Sequence, residues 1–244
     1  MERKRTALVT GGAKGIGKAI ALKLAECGFS LAVHYNTSKE QAYALVNELQ
    51  NRGVNAIAVQ ADLTDYAQTQ KMYEQVKAHF GFIDTLVNNA GVSLIKPLYE
   101  CTTQDFDTVI NANLRSVFNC CKIFSPDMVS ETFGRIVNIA SIWGEVGAST
   151  ETIYSASKAG VIGFTKALNS ELAINGVIVN SVSPGLIDTD MNAHLSDDEK
   201  TAFLSCVSMG RIGKVEEVAS VVELLTREEL YIAGADIPVN GGLN

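Results

Sequence analysis

The chain has 244 residues, with 27 acidic against 20 Lys or Arg side chains and a net charge of −7. Hydrophobic residues make up 47% and charged residues 19%, which excludes a disordered chain and calls for a large buried core. The acidic balance excludes a nucleic-acid binder, since Arg3-Lys4-Arg5 is too short to form a basic stripe, and no run of about 20 apolar residues offers a membrane span.

Strand-like and helix-like segments alternate in chain order. Thr6 to Thr10 is an apolar run entering a glycine cluster, and Ile16, Ile20, Leu24 and Cys27 then recur at helical spacing up to a stop at Gly28. Ser30 to Tyr35 reads as a second strand, followed by a helix over Ser38 to Gln50 capped by Ser38. Val54 to Gln60 is a third strand, Thr64 caps a helix to about Phe80, and Ile83 to Asn88 is a fourth strand. A long helical stretch from about Thr103 to Val129 is expected to break near Asn111 to Asn113. Arg135 to Ala140, Val177 to Val182 and Ala235 to Val239 complete the strands, with helices over Ile153 to Ile174 and Val215 to Thr226. Alternation of this kind predicts an α/β fold. It is a single-domain, Rossmann-like, doubly wound sheet over 1–244, with about seven parallel strands and helices on both faces. Leu186 to Lys214 carries polar and acidic residues (Asp188, Asp190, Ser196 to Glu199) in place of regular structure and is expected to act as a substrate lid.

Cys27, Cys101, Cys120, Cys121 and Cys206 form no C-x-x-C pair and read as reduced, mostly core thiols of a cytoplasmic protein. The N-terminus shows no apolar core of a signal peptide, so export is not expected. His34, His79 and His194 lack metal-ligand spacing, so no metal site is expected.

Thr10-Gly11-Gly12-Ala13-Lys14-Gly15-Ile16-Gly17 falls between the first strand and first helix, where glycines let the backbone approach a pyrophosphate at a helix N-terminus. The spacing G-x-x-x-G-x-G only approximates the general dinucleotide fingerprint, and a glycine turn alone is often punctuation. About 20 residues past such a loop an acid would hold the ribose 2′-hydroxyl of NAD. Here the second strand ends in Asn36-Thr37-Ser38 with no carboxylate before Glu40. That favours the 2′-phosphate of NADP, with Lys14, and Lys39 as a second choice, as cationic donors or simply solvated lysines.

Tyr154 and Lys158 stand four apart on a helix and share a face. A neighbouring ammonium is expected to lower the phenol from its usual value of about 10 toward a range fit for proton transfer. Ser141 would then donate a hydrogen bond where negative charge develops on a carbonyl oxygen. Taken singly, the pair also fits a packed ring with a snorkelling amine, Ser141 a turn, and Asn113 a backbone clasp. Trp143 reads either as a pocket wall or as a core anchor.

Taken in order, the motifs resemble the short-chain dehydrogenase/reductase family along essentially the whole chain. They comprise the Thr10 to Gly17 loop, Asp62-Leu63, Asn88-Asn-Ala-Gly91, Asn113, Ser141, Tyr154-x-x-x-Lys158 and Pro184-Gly185. The resemblance implies Asn113, Ser141, Tyr154 and Lys158 as catalytic residues, Asn113 anchoring a water chain and Lys158 also holding the nicotinamide ribose. It implies NADP contacts from Gly11, Lys14, Gly15, Ile16, Gly17, Asn36, Thr37 and Ser38 at the phosphates. It adds Asp62, Leu63, Asn89, Ala90 and Gly91 around the adenine, with Pro184, Gly185, Ile187 and Thr189 at the nicotinamide.

Within the family, Arg135 to Asn138, Ser155 to Gly160, Gly163 to Lys166, Asp188 to Met191 and Val239 to Gly242 resemble bacterial 3-oxoacyl-[acyl-carrier-protein] reductases. These act in fatty-acid biosynthesis and are usually homotetramers, which implies a ketone substrate on a carrier protein or a small molecule. The basic residues such enzymes often carry are replaced here by Glu131-Thr132-Phe133 and Ile174-Asn175-Gly176, leaving Arg115, Lys122 or Arg211 to compensate. His34 to Thr37 and Ser141 to Ser149 also resemble reductases of the 5-aminopentanone modification of elongation factor P, the alternative substrate. A nucleotide-sensing regulator without turnover is a third reading, disfavoured by the presence of both Tyr154 and Lys158. An epimerase or dehydratase is disfavoured because no second substrate domain is seen.

Overall fold

A computed structural model describes residues 5–189 and 197–243. The strands are β1 (Thr6–Val9), β2 (Ser30–Tyr35), β3 (Ala56–Gln60), β4 (Thr85–Asn88), β5 (Gly134–Ile139), β6 (Val177–Pro184) and β7 (Asp236–Val239). They form one sheet in the order β3-β2-β1-β4-β5-β6-β7, and every pairing is parallel. The order reverses between β1 and β4, which opens a crevice beyond the carboxyl ends of these two strands.

Helices cover both faces because the strands are apolar on both: β1, β2, β4 and β5 are buried throughout. Helices α1 (Gly15–Glu26), α2 (Lys39–Asn51) and α9 (Val215–Thr226) pack one face through Ile20, Leu24, Leu45, Leu49, Val218 and Val222. Helices α3 (Tyr66–Phe80), α5 (Ser116–Ser130) and α7 (Thr152–Leu172) pack the other through Met72, Val76, Phe124, Met128 and Val161. Each fully buried Leu or Phe contributes about 1.5–3 kcal/mol, so the two layers together hold the crevice walls rigid. The buried stripe of α7 runs Ile153, Tyr154, Ser157, Lys158, Val161, Ile162 and Thr165, a helical period that carries the Tyr-Lys pair on the same face as the core contacts.

The predicted break in the long helix is present. Helix α4 (Thr103–Ile110) passes into one π-helical turn over Asn111–Arg115 before α5 begins, and such turns frequently mark functional positions. Gly28 ends α1 with φ +84.

Several expectations are corrected. Thr64 is not the cap of α3: Asp65 is, accepting from the N–H groups of Ala67 and Gln68, while the Thr64 hydroxyl donates to Asp62. Ser38 precedes α2 without a side-chain cap. The stretch 186–214 is not wholly irregular, since α8 (Asp197–Leu204) lies inside it, and a short α6 (Ile142–Val146) follows Ser141. Of the five cysteines, all free, Cys120 and Cys121 are buried whereas Cys27 and Cys206 are exposed, so most are not core thiols. Arg3, Lys4, Asp190, Met191, His194 and Ser196 lie outside the described residues. Among the described residues no helix is long and apolar enough to cross a membrane, and no cluster of His, Cys, Asp or Glu could hold a metal ion.

Candidate active site

A cleft of about 810 Å³ opens at the point where the strand order reverses. Its floor at one end is the loop from β1 into α1. Gly11 and Gly15 take φ of +59 and +54, conformations that a side chain would strain. A Cβ on Gly17 would stand 2.3 Å from the Gly11 carbonyl and 2.6 Å from Asn89 Nδ2, so the close approach of helix to loop requires glycine. Asn89 holds the loop from the far side, donating through Nδ2 to the carbonyls of Thr10 (3.0 Å) and Gly11 (3.2 Å). The Thr10 hydroxyl accepts in return from the N–H groups of Asn89 and Ala90.

The N-terminus of α1 has no side-chain cap and no acid in its first turn, which leaves its N–H groups and positive dipole end facing the cleft. The wall also includes Lys14, Asn36, Thr37 and Ser38, with no carboxylate among the four. This donor set fits a pyrophosphate followed by a phosphorylated ribose. Lys39, the next residue after Ser38, is exposed and does not itself line the wall.

His34 has a role that its place on β2 did not announce. Its side chain is buried; Nδ1 accepts from the Gly11 N–H at 3.1 Å, and Nε2 therefore carries the proton and donates to the Ala61 carbonyl at 3.0 Å. The His34 carbonyl accepts from Gly12. One imidazole thus ties the glycine loop to the exit of β3, next to Asp62. Burial pulls its pKa down to about 4, so the ring is neutral at physiological pH.

At the other end Ser141 caps α6, its Oγ accepting from the Trp143 N–H at 3.2 Å, which leaves its proton for another acceptor. Tyr154 lies beside it, hydrogen-bonded to Ser141. Burial pushes the phenol up to about 12, hydrogen bonding to Ser141 draws it down, and the negative charge of Glu151 raises it. Lys158 Nζ donates to the Ile139 carbonyl at 2.8 Å and stands 5.8 Å from the centroid of the Tyr154 ring. Burial lowers this amine to about 8. The expectation that Lys158 would bring the phenol down is therefore corrected: in this geometry desolvation dominates, because the ammonium is held at the Ile139 carbonyl and over the ring.

Asn113 does not touch the cleft. Fully buried in the π-helical turn, it accepts from the Val92 N–H at 2.8 Å and donates to the Val92 carbonyl and to Ser157 Oγ, each at 2.9 Å. Both amide protons are spent, so the side chain acts as a clasp between the segment following β4 and the face of α7. A Cβ on Gly91 would meet Asn113 Oδ1 at 2.9 Å and Lys158 Nζ at 3.5 Å, which shows how closely the three are packed.

The remaining predicted residues also reach the cleft. Gly11, Gly15, Ile16 and Gly17 line the phosphate end. Asp62, Leu63, Asn89, Ala90 and Gly91 line it as well, as do Pro184, Gly185, Ile187 and Thr189, and a Cβ on Gly15 would stand 3.7 Å from Thr189 Cγ2. Asp62 turns its Oδ1 onto Thr64, accepting from both the N–H (2.9 Å) and the hydroxyl (2.7 Å). Trp143 resolves into a wall residue, packed edge-on against Phe203 of α8 with centroids 5.7 Å apart. The residues missed were His34 as a loop tie, Glu151 and Phe203 on the wall, and Ser157 behind it. Their partners or surroundings lie far away in sequence, except for Glu151, whose position one turn before Tyr154 was a usable signal.

The short chain dehydrogenase family profile matches residues 5–200. The 3-oxoacyl-[acyl-carrier-protein] reductase FabG of Staphylococcus aureus is 42% identical over 244 residues, covering 100% of this chain and 99% of the relative. The enzyme of the same name from Escherichia coli is 39% identical over 240 residues, covering 98% of this chain and 97% of its own. Among solved structures, a blue fluorescent protein from a metagenomic library, in complex with NADPH, superposes with a TM-score of 0.92 at 38% identity. That match covers 98% of this chain and 97% of the other.

Proposed function

The chain belongs to the short-chain dehydrogenase family and is an oxidoreductase acting on a secondary alcohol or its ketone. From that premise we propose that it reduces a 3-oxoacyl group on acyl carrier protein to the 3-hydroxyacyl form with NADPH, in fatty-acid biosynthesis. The observation that carries the reading is the joining, in one cleft, of an uncapped glycine loop free of carboxylates to a Ser141–Tyr154 pair. The FabG relatives and the NADPH-bound neighbour point the same way.

The glycine loop and the first turn of α1 receive the pyrophosphate, and Lys14 with Asn36, Thr37 and Ser38 receives the 2′-phosphate. NADPH, when bound, supplies the hydride. Tyr154 donates its proton to the carbonyl oxygen, a task for which a phenol kept protonated by burial is in the correct state at neutral pH. Ser141 donates to the same oxygen as negative charge builds there. Lys158, buried behind the ring, supplies positive charge to the tyrosinate left after proton transfer and holds the nicotinamide ribose. Asn113 is a positioning residue, through Val92 and Ser157. The proposal extends to a homotetramer in the cytoplasm with a carrier-protein-bound ketone as partner. The test is NADPH oxidation with acetoacetyl-CoA and with a 3-oxoacyl carrier protein: turnover faster on the carrier form supports the role, and absence of thioester turnover refutes it.

A second reading, reduction of a 5-aminopentanone carried by elongation factor P, is favoured by the segments where a carrier protein would need positive charge. Glu131 and Ile174 are exposed there, and neither Glu131-Thr132-Phe133 nor Ile174-Asn175-Gly176 carries a cation.

A further inference from the structure

Two aromatic rings meet beside the proton donor. Trp143 of α6 is the second residue after Ser141, and its N–H donates to Ser141 Oγ at 3.2 Å, so its place is tied to the hydroxyl that meets the carbonyl oxygen. Its side chain packs against the small cluster of Val109, Ile153 and Tyr154. Phe203 comes from α8 and meets the Trp143 ring edge-on, with centroids 5.7 Å apart and planes at 82°. Both residues line the cleft. Edge-to-face contact is a favoured arrangement for two aromatic rings, and rings so placed leave no gap for a hydrocarbon chain to pass between them.

The cleft is also small for what it must hold. Its whole volume, glycine loop included, is about 810 Å³. Pockets of about 300–1,000 Å³ serve one drug-sized ligand, and NADPH is larger than that class, so little room is left for a second substrate. The thioester end of a 3-oxoacyl group must lead out to its carrier, which leaves the acyl tail to fit inside. A long tail would have to displace Trp143 from the Tyr154 cluster or Phe203 from Trp143, and forcing methylenes into a packed site drives side chains off their rotamers.

We infer that the Trp143–Phe203 pair is a chain-length stop, so that the site takes short 3-oxoacyl groups of about the size of acetoacetyl and these two residues determine that specificity. The inference rests on the 3-oxoacyl reductase reading above and narrows its substrate. The chemistry is unchanged: hydride is added at the carbonyl carbon and a proton from Tyr154 at its oxygen, while NADPH is oxidised to NADP.

The test compares acetoacetyl-CoA with 3-oxooctanoyl-CoA, which share the reacting group and differ only in the tail. The expected ratio of kcat/KM, short over long, is about tenfold or more in the native protein. In Phe203→Ala and in Trp143→Ala the ratio falls toward one, because the long substrate gains, whereas Phe203→Tyr keeps it. Trp143, the single tryptophan of the chain, gives a reading independent of turnover. With the native protein loaded with NADP, which cannot reduce a ketone, its emission is expected to titrate with acetoacetyl-CoA at about tenfold lower concentration than with 3-oxooctanoyl-CoA. Equal kcat/KM and equal titration of the two thioesters, or a preference that survives both alanine variants, overturns the inference while leaving the reductase reading intact. Turnover of neither thioester overturns both.

Discussion

Replacing His34 by Gln offers a quantitative check on how the glycine loop is held. In the folded chain the ring takes up a proton only at a pH of about 4, against about 6.5 for a free imidazole, because burial strips the charged ring of water. As pH falls below 6.5, the unfolded chain therefore binds a proton at this position that the folded chain refuses. Stability is lost progressively down to about pH 4, by about 3 kcal/mol in all. Between pH 7 and pH 5 the loss from this one group is about 2 kcal/mol. Urea unfolding of the native protein and of His34→Gln, at equal protein concentration and at both pH values, isolates that contribution, since the other titrating groups are common to both. The native protein should lose about 2 kcal/mol more than the variant over the interval. At pH 7 the variant should be the less stable, by about 1–3 kcal/mol, because Gly11 and Ala61 lose well-placed partners. Equal pH dependence in the two proteins would refute both the burial of the ring and its tautomer.

Other expectations follow from the same geometry. Tyr154→Phe should lower kcat by at least about a hundredfold while changing the NADPH dissociation constant far less, read by single-turnover kinetics and cofactor fluorescence. Asn36→Asp should weaken NADPH much more than NADH, because a carboxylate would oppose the 2′-phosphate; equal losses would undo the argument. Gly17→Ala forces a Cβ into the Gly11 carbonyl and should raise the KM for NADPH markedly, with a measurable drop in melting temperature. Lys158 loses its charge at about pH 8, so kcat/KM for reduction should fall as pH rises through that value, and Lys158→Arg should move the fall to higher pH.

The parts of the site that could be read from the sequence are those written locally. The Thr10 to Gly17 loop announces its turn through residues adjacent in the chain, and Tyr154 and Lys158 share a face by helical spacing alone. The sheet followed from apolar strands alternating with amphipathic helices, each signal contained within its own segment. What escaped depends on tertiary neighbours. His34 works through Gly11 and Ala61, 23 and 27 positions away, and nothing in a Leu-Ala-Val-His-Tyr strand distinguishes a buried tie from any other histidine. The phenol of Tyr154 is governed by burial that no i, i+4 argument contains. Asn113 was expected to anchor a water chain; the contacts of its amide with Val92 and Ser157, 21 and 44 positions away, are tertiary and have no local signal. Thr64 and Asp65 are both good cap residues, and choosing between them required the loop path set by Asp62.

The most direct test of the account is NADPH oxidation by the purified protein with acetoacetyl-CoA and a 3-oxoacyl carrier protein, with NADH in parallel and Tyr154→Phe as control. The account predicts turnover with NADPH well above that with NADH, abolished in the variant. Tight NADPH binding with no oxidation on any ketone, or turnover that survives Tyr154→Phe, would contradict it.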